Sequence, residues 1–170
     1  MTLRVQASLF VAPDAGAEIE AVRRRVDPVQ HRLIPAHVTL CREDELGELS
    51  VDDVHARLRH PPGPLALRFG APVAFGEHGI LLPCVDGLDA FQSLRRRVLA
   101  DPHARPHVPH LTLAHPRNPK APGNALEAAA SLGAGRCLVF DAIHLIAQVD
   151  DEPWVVRGVV PLVDRPCGLA

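Results

Sequence analysis

The pattern His-x-Thr-Leu is written twice in this chain, as HVTL at 37–40 and as HLTL at 110–113, each closely preceded by a proline (Pro35, Pro109). Threonine occurs only three times, at Thr2, Thr39 and Thr112, so two of the three sit in the pattern. Roughly 0.02 such tetrapeptides are expected at this composition, so chance does not explain two. A fold for this chain has to give both copies an equivalent setting.

The elements around the two copies repeat in order. Alternation of Leu3, Val5, Ala7, Leu9 and Val11 predicts a first strand. Pro13 and Asp14 open a helix with Ile19, Val22 and Val26 at helical spacing, ending near Pro28. The strand AHVTLC follows, and Ser50 with Asp53 forms a capping box for a helix over 51–59, broken by HPPGP. LALRFGAPVAF and GILLPCV are strands about the turn GEHG. An amphipathic helix (Phe91, Leu94, Val98 and Leu99 on its apolar side), the strand HLTLA and a weak helix over 124–132 come next. Two long strands, RCLVFDAIHLIAQV and WVVRGVVPLV, close the chain. Each half thus reads strand, helix, motif strand, helix, hairpin, although side chains outside the motif hardly repeat. An internal duplication follows. It predicts an α+β fold: one domain over 1–170 made of two pseudo-twofold lobes, two antiparallel sheets flanked by helices, with the equivalent strands facing across a groove.

Within a strand, residues two apart share a face. His37 and Thr39 point one way, as do His110 and Thr112, while Val38, Leu40, Leu111 and Leu113 face a core. The duplication converges two imidazoles and two hydroxyls on one groove. One imidazole can start neutral and take a proton from a nucleophile, while the other gives a proton to a leaving oxygen. The hydroxyls suit non-bridging phosphate oxygens. This set fits in-line displacement at phosphorus without a cofactor. We assign His110 as the base and His37 as the acid, an order that the residues alone leave open.

A net charge of −2 with dispersed basic residues argues against a grip on long duplex nucleic acid and leaves a small nucleotide or an RNA end as partner. No apolar run approaches the ~18 residues of a membrane span, and MTLRVQASLF lacks the layout of a signal peptide. Cys41, Cys84, Cys137 and Cys167 lie far apart and read as reduced packing residues, so a cytoplasmic monomer is expected.

The chain resembles the 2H phosphoesterase superfamily, specifically its 2′-5′ RNA ligase or LigT-like branch. The defining pair of H-x-T/S-hydrophobic motifs is matched by HVTL and HLTL. ASLFVAPD resembles the family's opening strand, FGEHGILLPCVDGLDAFQSLRRRV its middle hairpin and helix, and HVPHLTLAHP its second motif. The resemblance implies a bilobal α+β fold and a metal-independent active site. It also implies cyclic phosphodiesterase or 2′-5′ ligase activity on RNA ends, with His37, Thr39, His110 and Thr112 in the catalytic roles and a 2′-phosphate product. Phe10, Arg42 and His115 are the substrate-binding candidates. His115 stands where the family often has arginine. An alternative from another class is a catalytically idle nucleotide-binding module using the same groove.

His103, His107, His110 and His115 crowd one segment, but no cysteine joins them, and alternation places His115 opposite His110. They read as loop histidines beside a catalytic one, not as a metal site. Arg23–Arg25 and Arg95–Arg97 read as solvated helix faces, and His144 as a satisfied histidine of the sheet.

Overall fold

The computed structural model describes residues 1–47, 49–60 and 62–163. Pro61 and Cys167, both used in reading the sequence, lie outside the described residues.

Among the described residues, nine strands form one antiparallel sheet: β1 (Leu3–Phe10), β2 (His37–Cys41), β3 (Leu65–Phe69), β4 (Val73–Phe75), β5 (Gly79–Asp86), β6 (His110–Ala114), β7 (Arg136–Phe140), β8 (Ala142–Val149) and β9 (Val155–Pro161). Their spatial order is β7-β3-β5-β6-β2-β1-β8-β9, with β4 paired to β5. The two half-sheets that the repeat predicts are therefore present. They are joined edge to edge through β2 and β6, whose registered pair is Val38 with Leu111. The motif strands are antiparallel neighbours and do not face one another across the groove. That register sets His37 opposite Thr112 and Thr39 opposite His110, with the pseudo-twofold axis between them.

The helices α1 (Pro13–Val26) and α5 (Leu88–Leu99) occupy equivalent places, each joining a flanking strand to its motif strand. Pro13 suits the first turn of α1, whose amides need no partner within the helix, and Asp14 there and Arg23–Arg25 in the last turn complement the helix dipole. Gly87 precedes α5 at φ 91°, where a Cβ would stand 2.5 Å from the Ala66 carbonyl oxygen, so only glycine fits the turn out of β5. Ile19, Val22 and Val26 of α1 and Phe91, Leu94 and Val98 of α5 are buried against Ala7, Leu9, Val38, Leu40, Leu111 and Leu113 of the sheet. The core thus lies on the leucine side of the motifs. The short helices α2 (Pro28–Leu33), α3 (Glu43–Leu46) and α4 (Val51–Arg57) lie in the first half. The Ser50–Asp53 capping box is present, with Asp53 N donating to Ser50 Oγ at 3.1 Å and Ser50 N donating to Asp53 Oδ2 at 2.9 Å.

Several predicted elements differ. LALRFGAPVAF divides into β3 and β4 around Gly70–Pro72. RCLVFDAIHLIAQV divides at Asp141 into β7 and β8, which belong to opposite halves. The weak helix is a 3₁₀ stretch, Leu126–Leu132, whose buried Ala129 and Leu132 are three apart, the period that aligns side chains in that geometry. Leu3 is exposed, so the buried alternation of β1 begins deeper in the strand. Cys41 and Cys84 are buried packing residues, whereas Cys137 is exposed on β7. Among the described residues, no helix is long and apolar enough to cross a membrane.

Candidate active site

β2 and β6 share one burial pattern, with the motif histidine and threonine half-buried and the alternating apolar residues fully buried. All four polar side chains wall a single cavity of about 610 Å³. Its volume is in the range of a small-molecule site.

Both histidines are oriented by the same device. His37 Nδ1 lies 2.8 Å from the Pro35 carbonyl oxygen, and His110 Nδ1 lies 3.1 Å from that of Val108, each two residues upstream. A carbonyl only accepts, so Nδ1 carries the hydrogen in both rings and Nε2 is left to the groove. A phenylalanine stands beside each ring: Phe10 edge-on to His37 at 6.3 Å and Phe75 at 6.0 Å from His110. Burial pushes the His37 imidazole down to about 4, against the upward pull of its bond to Pro35, and the charges of Arg23 and His110 add to the depression. A ring held neutral at physiological pH is suited to accept a proton. That environment favours His37 for the base, the role that the sequence reading gave to His110 as one of two open orders.

The segments that carry these two carbonyls are tied to α1 and α5 through neighbouring groups. Ala36 N donates to Glu20 Oε1 at 2.5 Å, and the Arg23 guanidinium donates to the Ile34 carbonyl at 2.8 Å. In the other half, Gln92 donates to the His107 carbonyl, and Arg95 donates to that of Arg105 at 3.0 Å. Arg23 and Arg95 are each fully buried. The expectation that both arginine runs are solvated fails for their first members. These face inward because the chain leading into each motif strand leaves carbonyls without partners. The signal was legible: EAVRRRV at 20–26 and QSLRRRV at 92–98 are the same helix twice, so the duplication extends beyond the motif.

The substrate-binding candidates are placed unequally. Arg42 walls the cavity, with its Nε 3.2 Å from Asp44 Oδ1. His115 walls it too, on the same side as His110 and not opposite, because β6 ends at Ala114 and strand alternation ends with it. Phe10 does not line the cavity. It stacks on His144 at a centroid distance of 4.5 Å and so braces His37 from behind. His144 is not a satisfied histidine either, since its buried Nδ1 has no partner.

The sequence reading missed Arg117 and Asn118, which also wall the cavity, as does His107, read from the sequence as a loop histidine beside a catalytic one. Asp27, 2% exposed, fixes the loop after β6: one carboxylate oxygen accepts from His115 N at 2.8 Å and from Asn118 Nδ2 at 2.9 Å. Arg117 thereby supplies, two positions later, the cation that His115 does not. The His107 ring lies 6.0 Å from that of His110 and is pushed down to about 4 by burial, with Arg95 and His110 adding to the shift. Among the described residues, no three His, Cys, Asp or Glu side chains converge as a metal-ligand set.

Comparison with known proteins agrees with this geometry. Residues 11–152 match the model of the 2′-5′ RNA ligase superfamily. A Bacillus pumilus (strain SAFR-032) protein named "Putative phosphoesterase" is 28% identical over 142 residues, covering 79% of this chain and 82% of that one. The fold is similar to a crystal structure of a phosphoesterase (TM-score 0.58, 16% identity, 96% of this chain and 99% of that one). It is similar also to E. coli LigT complexed with ATP (TM-score 0.59, 14% identity, 94% and 98%). The duplicated motif, the shared cavity and the family match over most of the length place this chain in the 2′-5′ RNA ligase superfamily.

Proposed function

We propose that the groove hydrolyses a 2′,3′-cyclic phosphate, on a nucleotide or an RNA end, to a 2′-phosphate without a metal ion. The observation that carries this reading is the mirrored pair of Nδ1–carbonyl bonds on His37 and His110, which turns two Nε2 atoms into one cavity. His37 Nε2 takes a proton from water as the water oxygen bonds to phosphorus. The P–O3′ bond breaks, and His110 Nε2–H gives its proton to the departing oxygen. Each transfer contributes about 10²- to 10⁴-fold. Thr39 and Thr112 donate to the non-bridging oxygens, and Arg117 offsets their charge. With a 5′-hydroxyl in place of water, the same step in the same direction (the hydroxyl oxygen bonds to phosphorus, P–O3′ breaks and O3′ takes the proton) forms a 2′-5′ linkage, so weak ligase activity accompanies hydrolysis. E. coli LigT, of similar fold, has been solved with ATP and with 3′-AMP, which supports a small nucleotide as the partner. The test is phosphorus NMR of the reaction with a nucleoside 2′,3′-cyclic phosphate. A 2′-phosphate is expected; a pure 3′-phosphate would mean that the two histidines act on the opposite ribose oxygens.

A further inference from the structure

The two motif strands are related by a pseudo-twofold, so the reacting centre alone does not say on which side the nucleoside lies. The rest of the cavity does. It extends along β1 and β8 to Arg4, Gln6, Gln148 and Trp154. Of the aromatic residues, Phe69, Phe91 and Phe140 are in the core and Phe10 is stacked on His144. Phe75 stands against His110 at the reacting end. Trp154 is the aromatic wall that remains.

Its surroundings are built. The Arg4 guanidinium lies over the indole, with Cζ 5.5 Å from the ring centroid, and donates to the side-chain oxygen of Gln148. Gln148, 1% exposed, donates to the Glu152 carbonyl at 2.6 Å. Trp154 N donates to the Leu33 carbonyl at 2.9 Å, which ties the β8–β9 turn to the end of α2. The indole and guanidinium are thus layered and held before any ligand arrives.

We propose that Trp154 and the Arg4 guanidinium form the platform on which the substrate's base stacks. The inference rests on the reading of the groove as a phosphodiester site. Indole and guanidinium planes both stack bases, whatever the base's hydrogen-bonding edge. The platform belongs to the β1–β8–β9 side only. It therefore breaks the twofold and decides which ribose oxygen meets which histidine.

Trp154 is the chain's one tryptophan and there is no tyrosine, so intrinsic fluorescence reports this residue alone. The full chain is titrated with adenosine 2′-monophosphate and, separately, with ribose 5-phosphate. Saturable quenching by the nucleotide and little by the sugar phosphate is expected; equal quenching, or none by the nucleotide, overturns the proposal. Trp154→Ala should raise KM for a nucleoside 2′,3′-cyclic phosphate about tenfold, with Trp154→Phe recovering most of it. A folded Trp154→Ala protein with an unchanged KM overturns the proposal, and if that variant does not fold, the wild-type titration decides. Quenching without turnover leaves the platform standing and removes the hydrolytic reading. Turnover without quenching does the reverse.

Discussion

Arg23 and Arg95 hold the same place in the two halves, each fully buried, with its guanidinium bonded to the segment that leads into a motif strand. They lie 72 positions apart, while the motif histidines lie 73 apart. The two are not equal in reach. Arg23 pairs with Glu20 in its own helix at 2.7 Å. Arg95 pairs with Glu45 at 2.8 Å and also donates to the Leu40 carbonyl in the first motif, so it ties one half to the other.

Replacing these arginines should cost stability unequally. Arg95→Ala takes from Glu45 its buried cation and from the Leu40 and Arg105 carbonyls a donor, which should cost about 3–5 kcal/mol. Glu20 is more exposed than Glu45, so water replaces part of what Arg23→Ala removes, and the cost should be about 1–3 kcal/mol. Urea unfolding of both variants checks the order. An Arg95→Ala protein as stable as wild type would show that the inter-half tie is idle.

His37→Ala and His110→Ala should each lower kcat by at least about 10²-fold, the contribution of one positioned proton transfer. Neither change should unfold the protein, because the leucine side of each motif, which carries the core, is untouched. A folded variant with near-wild-type turnover would refute the two-histidine mechanism. Circular dichroism alongside the rate separates lost chemistry from lost fold.

The parts of this fold legible in the sequence were those with a strong local period. Val38, Leu40, Leu111 and Leu113 alternate with polar residues and were read correctly as strand cores. Ser50 and Asp53 announced their own helix start. What escaped was long-range. Nothing local says that β7 and β8, separated only by Asp141, part company into different halves. Nor does alternation say that β2 and β6 lie side by side, since a pattern fixes faces and not neighbours. Arg23 and Arg95 were misread because arginine is rarely buried without partners, and the carbonyls they bind lie on other segments. His115 was misplaced by carrying the strand's period one residue past its end.

Thr39→Ala and Thr112→Ala should be milder than the histidine changes. Each removes one hydrogen bond to a charged phosphate, worth about 1.5–3 kcal/mol, and no proton shuttle. The loss in kcat/KM should therefore be about 10- to 150-fold. Thr→Ser at either position keeps the hydroxyl and should recover most of it. If Thr39→Ser is as impaired as Thr39→Ala, the hydroxyl is not the group that matters.

The pH dependence follows from the environment of His37. An ordinary imidazole titrates near 6.5, whereas burial sets His37 at about 4. The base therefore stays unprotonated through mildly acidic solution, and the acidic limb of kcat/KM should lie well below the ordinary histidine range. The alkaline limb reports loss of the proton that the leaving oxygen needs, so the profile remains a bell, and its limbs belong to the coupled pair. Stability should move in the same direction. His37 and His107 are both set at about 4 in the fold, and between 6.5 and that value the unfolded chain binds more protons than the folded one. Unfolding free energy therefore rises with pH across this window, and Tm should decline as the pH falls through it. His107→Gln removes one of the two titrating groups and should flatten that decline without moving the acidic limb of activity, because His107 takes part in neither proton transfer. An acidic limb in the ordinary histidine range in the wild-type protein would overturn the assignment of His37 as the base.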